Sequence, residues 1–273
     1  MIYPLPHYGS LSIIGTDAKK FLQGQLTCDL DKLAPNKSIM GAHCNPKGRI
    51  ISLFYCLFHN DIYSLIMPQD MLPIAASALK KYAPFFKVTC LDTTQLYHFE
   101  GMTTDELNHL ASTQNHIIEV NSSLAIVITP NTHEQDAVSE TAWDAQLIAE
   151  KIPVLAPSTS QTFLPHELNL EAFNAVAFDK GCYTGQEIIA RMHYRSQLAY
   201  QLHLATTQSE TELSPGIDVY DSQDDTAKVI GRVVNIVETA PNEYQLLLTI
   251  KEPLPDEPFY LNAENKLAMT LHP

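Results

Sequence analysis

The chain has 273 residues, enough for two or three packed units with cores of their own. Apolar content of 45% and charged content of 18% describe an ordinary globular protein rather than a disordered or fibrous one. Seventeen basic against thirty-one acidic side chains give a net charge of −14; no Lys/Arg-rich run offsets it, so no direct contact with nucleic acid is expected.

Met1 to Gly15 has no basic n-region and no long apolar stretch, which predicts no secretory signal or transit peptide. Aliphatic runs such as Ala125 to Ile128 are far too short to cross a bilayer, so no membrane partner is expected. Ser10 to Ile14 reads as a strand, and Thr16 as the N-cap of a helix through Leu26 with Asp17 in its first turn. Ser38 to Asn45, the turn Asn45-Pro46-Lys47-Gly48 and Arg49 to Phe58 read as a hairpin, followed by a strand at Ile62 to Met67. Gln69 to Tyr82 has helical spacing in Met71, Leu72, Ala75 and Leu79, and Lys87 to Leu91 returns as a strand.

The pattern then recurs, with strands at Gln95 to Glu100, Ile117 to Val120 and Leu124 to Ile128, and helices at Thr104 to Ala111 and Thr132 to Glu150. Two such rounds predict an α+β body of two lobes. Pro153 to Pro165 is rich in Pro, Ser and Thr and reads as a surface crossing. After Arg195 only strand-like runs follow, at Leu198 to Ala205, Val229 to Val237, Tyr244 to Thr249 and near Tyr260 and Met269. They predict a small antiparallel barrel or sandwich with its boundary near Ser196.

The chemistry concentrates in Lys180-Gly181-Cys182-Tyr183-Thr184-Gly185-Gln186-Glu187-Ile188-Ile189-Ala190-Arg191. Gly181 and Gly185 permit a tight loop that presents Cys182 just before a helix. Lys180 and the positive end of that helix would favour a thiolate, the nucleophilic and metal-binding form. Glu187, Arg191 and Arg195 follow at four-residue spacing on one helix face. The plainer alternative is a small buried cysteine beside a solvated Glu–Arg pair. Five cysteines (28, 44, 56, 90 and 182) without a Cys-x-x-Cys pair predict a reduced, cytoplasmic protein with no self-contained zinc or iron–sulfur site. No G-x-G-x-x-G, Walker loop or H-E-x-x-H occurs, and the histidines show no metal-ligand spacing and read mostly as surface residues.

Lys180 to Glu187 closely resembles the K-G-C-Y-x-G-Q-E motif of the YgfZ family, folate-binding relatives of the glycine-cleavage T-protein linked to iron–sulfur protein maintenance and tRNA modification. Gly15-Thr16-Asp17-Ala18 through Phe21-Leu22-Gln23-Gly24-Gln25-Leu26-Thr27-Cys28-Asp29 is similar to the family's G-x-D-A…F-L-Q-x-Q-x-T-x-D element, and Asn45-Pro46-Lys47-Gly48-Arg49 to its K-G-K/R hairpin. Leu164-Pro165-His166 with Asn169-Leu170 is similar to its P-Q-x-x-N-L segment, with His166 for the usual glutamine. The resemblance implies two intertwined α+β lobes and a C-terminal antiparallel β-barrel around a central channel. The lobes would fall within 1–195, with the surface crossing near 153–165, and the barrel within 196–273.

It also implies a folate site. Trp143 and Tyr8 would line the pterin, and Asn169, Lys180, Tyr183, Gln186 and Glu187 would lie in the same site. Arg191 and Arg195 would hold carboxylates through bidentate hydrogen bonds. The chain departs from the T-protein pattern in Ala149, where a glutamate recognises the pterin. It departs again in Ser52 and Leu53, where a hairpin carries acidic residues including the catalytic aspartate, and in Ser196 after Arg195. The expected function is a folate-binding protein supporting assembly or repair of iron–sulfur enzymes, including tRNA-modifying ones, with Cys182 as key residue. Its iron–sulfur clients would be its protein partners. Two alternatives stand beside it: a tetrahydrofolate-dependent aminomethyl- or methyltransferase, and a non-catalytic interaction module with a structural cysteine loop.

Overall fold

The computed structural model describes residues 2–107, 115–130, 141–195 (Arg195 by its backbone), 200–222, 227–254, 258–261 and 267–272. The first two strands separate at once. β1 (Ile2–Pro4) joins one sheet, and β2 (Tyr8–Ile14), four residues later, runs through another. That split is what intertwines the two lobes.

The first sheet is antiparallel, in the order β3-β4-β5-β2-β6, with β3 (Ser38–Cys44), β4 (Ile50–His59), β5 (Ile62–Pro68) and β6 (Thr89–Asp92). Helices α1 (Ala18–Gln23) and α2 (Leu72–Lys80) accompany it. Pairings such as Met40 with Tyr55 and His43 with Ser52 fix which side chains share a face. α1 is shorter than its sequence suggests. Asp17 rather than Thr16 holds the cap position, and its carboxylate accepts from Lys87 N–H at 2.8 Å instead of capping the helix. Beyond Gly24 the side chains of Gln25 and Thr27 find partners in distant parts of the chain, so the helical pattern ends before Leu26.

The second sheet has the order β1-β7-β9-β8, with β7 (Tyr97–Thr103), β8 (His116–Glu119) and β9 (Leu124–Pro130). Helix α3 (Thr104–Leu107) follows β7, and the rest of the helix expected to Ala111 lies outside the described residues. Helix α4 (Thr141–Ala149) covers the second sheet, and the expected helical residues 132–140 likewise lie outside the described part. Trp143 of α4 is fully buried and lies directly on Gly101 of β7. A Cβ at Gly101 would sit 2.4 Å from the indole ring, so the close approach requires glycine.

The C-terminal unit is a closed antiparallel barrel in the order β10-β13-β12-β11-β14-β15. Its strands are β10 (Tyr200–Gln208), β11 (Asp218–Tyr220), β12 (Val229–Ala240), β13 (Glu243–Lys251), β14 (Phe259–Leu261) and β15 (Leu267–His272). Inward-facing Val219, Val233, Leu246, Leu248, Ile250 and Phe259 fill it. A separate cluster of Ile148, Val237 and Leu247 seats α4 on the barrel wall. The expected boundary near Ser196 falls in residues 196–199, outside the described ones.

Residues 153–165 do not form a surface crossing. Pro153, Leu155, Phe163, Leu164 and Pro165 are buried, and Val154 N–H donates to Asn235 Oδ1 of the barrel at 3.0 Å. Composition suggested a loop, and the stretch is indeed irregular, but its apolar residues wedge between the units. Among the described residues no helix is long and apolar enough to cross a membrane.

Candidate functional site

Three separated stretches converge to present Cys182. The first is the polar run after α1. Thr27 exchanges backbone bonds with Ala42 and Ala177, its hydroxyl donates to Ala175 O at 2.6 Å, and Ala42 N–H donates back to it. Gln23 donates to Asp29 Oδ1 at 2.7 Å and accepts from Leu30 N–H at 2.9 Å. Burial works to raise the Asp29 carboxyl, yet the bonds from Gln23 and Asp31 N–H, with the Lys180 and Lys32 charges, outweigh it and hold it below the usual range.

The second stretch is the β3–β4 turn. Asn45 Oδ1 accepts from Lys47 N–H and Arg49 N–H, an Asx turn that fixes the hairpin tip. Arg49 donates to Thr162 O and pairs with Glu167, whose carboxylate also accepts from Leu164 N–H at 2.7 Å.

The third stretch is the cysteine loop itself. Gly185 has φ +84, and a Cβ there would lie 2.6 Å from Asn45 O and 3.0 Å from Gly48 Cα. It is glycine because the loop rests directly on the hairpin turn. α5 (Gln186–Arg195) starts there and is pinned on its far side by His193, which stacks on Phe178 and bonds Glu171 at 2.9 Å.

The loop differs from its sequence expectation in several respects. Lys180 does not face Cys182: its ammonium points inward, donating to Leu26 O at 3.0 Å and Cys28 O at 2.7 Å, with the Tyr183 ring 5.2 Å away. Burial holds it below its ordinary pKa while Cys28 and Asp29 work against that. Gly181 makes no close approach, since nothing lies within 4 Å of where its Cβ would be. α5 begins four residues beyond Cys182, and the dipole effect fades within about one turn. Glu187 and Arg191 form an exposed i,i+4 ion pair at 3.0 Å, the solvated face of the plainer reading. The side chain of Arg195 lies outside the described residues.

Cys182 is nonetheless exposed, whereas Cys28, Cys44, Cys56 and Cys90 are buried. Burial pushes the Cys28 thiol up to about 12, so that thiol is inert near neutral pH. Beneath the loop Tyr183 is buried with its hydroxyl unpartnered, and burial raises its phenol well above the ordinary value. Gln186 N–H donates to Tyr183 O at 3.1 Å and starts the helix. Asn169 is an exposed turn residue at φ +52 whose N–H donates to His166 O.

Tyr8 and Trp143 lie elsewhere, where the two sheets and α4 meet. Tyr8 lines a cavity with Met40, Leu53, Tyr55, Met67 and Leu147. Its volume is about 20 Å3, room for about one water. Burial, reinforced by Asp144, raises the Tyr8 phenol, and the buried Tyr55 hydroxyl has no hydrogen-bond partner. Among the described lining residues none is a lysine or arginine. The cavity shares Ile66 with a cleft of about 640 Å3 between the sheets, lined by Ser10, Asn36, His59, Ser64 and His116. The sequence-predicted residues therefore form two groups, an aromatic pair at the centre and a loop set around Cys182.

Sequence reasoning missed Tyr55 and His43, whose partnerless polar atoms are buried in strands that read as core. His166 is buried too, and burial lowers its imidazole below the usual value. A single histidine in the apolar strand Ser38 to Cys44 was the available signal. Among the described residues no group of three or more His, Cys, Asp or Glu is placed to hold a metal ion.

No family model matches the chain. It is 30% identical to the tRNA-modifying protein YgfZ of Aliivibrio fischeri (strain MJ11), covering 85% of this chain and 79% of the relative. It is 29% identical to the protein of that name from Vibrio atlanticus, over 94% and 86%. An uncharacterized protein of Haemophilus influenzae is 34% identical over 79% and 77%. The aminomethyltransferase T of the glycine cleavage system from Bartonella henselae superposes over the whole chain and 84% of its own, with TM-score 0.71 and 13% identity, a likeness of fold.

Proposed function

Because the chain belongs to the YgfZ family, we propose that it is a folate-binding protein that supports iron–sulfur enzymes, tRNA-modifying ones among them, with Cys182 as its working thiol. The observation that carries this is the contrast among the cysteines. Four are buried, and Cys182 alone is exposed, on a loop braced by the inward Lys180, the Gly185–Asn45 contact and the Thr27 hub. An exposed thiol on a fixed loop is available as nucleophile or soft ligand to a client protein. The net charge of −14 argues that any effect on tRNA runs through such a client rather than through direct contact. Reduced thiols fit a cytoplasmic setting, and we place the boundary between the α+β body and the barrel near Ser196.

The central cavity fits folate in chemistry but not in its closed volume. Tyr8 and Tyr55 offer aromatic walls, and the unpartnered Tyr55 hydroxyl offers a hydrogen bond to a ring edge. At about 20 Å3 the space must widen, and displacing Ile66 would join it to the 640 Å3 cleft, within the usual range for ligand pockets. Leu147, one turn along α4 from Trp143, lines the cavity, so filling it should change the emission of the only tryptophan. Calorimetric titration of the full chain with tetrahydrofolate is expected to give saturable heat and a matching fall in fluorescence. No heat and unchanged emission at millimolar tetrahydrofolate would remove folate from the account.

Ser52 and Leu53 argue against the aminomethyltransferase alternative. At the two positions where the resemblance implies carboxylates, Leu53 faces the central cavity and Ser52 lies on the opposite sheet face. Neither supplies a negative charge or a proton acceptor of carboxylate strength. No ammonia should be released from an aminomethylated donor protein in the presence of tetrahydrofolate, and steady turnover would contradict this.

A further inference from the structure

A separate cavity of about 520 Å3 opens on the other face of the first sheet, between the end of β3, the Asn45-Pro46 turn and α2. It does not belong to the channel. Met40 and Tyr55 pair on the channel face, whereas His43 and Ser52 pair on the face toward α2. His43 lines this cavity at 1% exposure with neither ring nitrogen partnered, and Ser52, fully buried opposite it, also has an unpartnered hydroxyl. Buried polar groups are almost always hydrogen-bonded, and two orphans in one cross-strand pair point to a missing partner.

The charge of the wall selects that partner's sign. Among the described lining residues the charged one is Lys81, and no carboxylate faces it across the cavity. In a chain of net charge −14 this is a local reversal. The rest of the wall is mixed: Pro46, Ile51, Pro73, Ile74 and the Tyr82 ring give an apolar side, and Asn45, Ser77 and Gln161 add uncharged polar groups.

We propose that this cavity is a binding site for a small organic monoanion, its carboxylate near Lys81 and His43 and its apolar or aromatic body against Pro73, Ile74 and Tyr82. Burial keeps His43 uncharged near neutral pH, so it offers one ring N–H to an acceptor while Lys81 supplies the positive charge. A phosphate dianion is best matched by an arginine fork or several positive charges, and the described lining offers one lysine and no arginine. The site also adjoins the Asn45–Gly48 turn on which Gly185 rests, so an occupant touches the platform of the Cys182 loop.

The test is a nuclear magnetic resonance titration of the full chain carrying 13C-labelled histidine, with phenylacetate, 2-phenylethanol and inorganic phosphate as probes. Phenylacetate is expected to shift the His43 resonance saturably. Lys81→Gln, an exposed position, should weaken it roughly tenfold, the loss of one charge-assisted hydrogen bond. The uncharged alcohol and phosphate should bind at least about tenfold more weakly for the same reason. His43→Asn assigns the resonance; if that variant does not fold, sensitivity to Lys81→Gln identifies it instead. No saturable shift, equal binding of 2-phenylethanol, preference for phosphate, or indifference to Lys81→Gln would each overturn the proposal.

Discussion

Between pH 6.5 and pH 4 the protein is expected to lose about 3 kcal/mol of stability through His43 alone. Burial, with a smaller push from Lys81, lowers the folded imidazole from 6.5 to about 4. In that window the unfolded chain binds a proton that the native chain does not. Stability therefore rises with pH there, is fully present above 6.5 and is lost as the pH falls toward 4. Urea unfolding at several pH values should show a steep acid limb that is shallower by this amount in His43→Phe, which cannot titrate. Carboxylates contribute equally to both proteins and cancel in the comparison. Parallel acid limbs would refute the assignment. Should the phenylalanine variant fail to fold, direct titration of the His43 ring must give a midpoint near 4.

Much of the architecture was legible because it follows from periodicity. The Asn45-Pro46-Lys47-Gly48 turn lies between two apolar runs, and the hairpin forms there with its register set by the turn. The tail after Arg195 shows strand patterns without a helical stretch, and those runs close into the barrel. The site was legible only as a set of motifs. Thr27 and Asp29, just past the expected helix end at Leu26, are polar residues with no burial signal in their spacing, yet Thr27 reaches Ala175, 148 residues away, to build the floor of the loop. Lys180 illustrates the same point in reverse. Its neighbour in sequence is Gly181 and then Cys182, but its hydrogen-bond partners are carbonyls more than 150 residues earlier. Local spacing carries no information about such contacts. The resemblance implies Trp143 beside a pterin; its indole is fully buried on Gly101, while Tyr8 and Tyr55 line the small central cavity.

Loss of the Cys182 thiol should abolish function while leaving the fold intact. The side chain is exposed and braces nothing, so the loop keeps Lys180, Gly185 and the Thr27 hub in either variant. Exposed substitutions of this kind change stability by about 0.5 kcal/mol or less. A serine hydroxyl is a far weaker nucleophile than a thiol and a poor soft-metal ligand, so it cannot replace a working cysteine. The decisive measurement compares Cys182→Ala and Cys182→Ser with the unaltered chain in cells lacking the endogenous protein, reading iron–sulfur enzyme activity and the melting temperature of each purified variant. Both variants are expected to melt like the unaltered chain, and neither to restore activity. Full rescue by Cys182→Ala would contradict this.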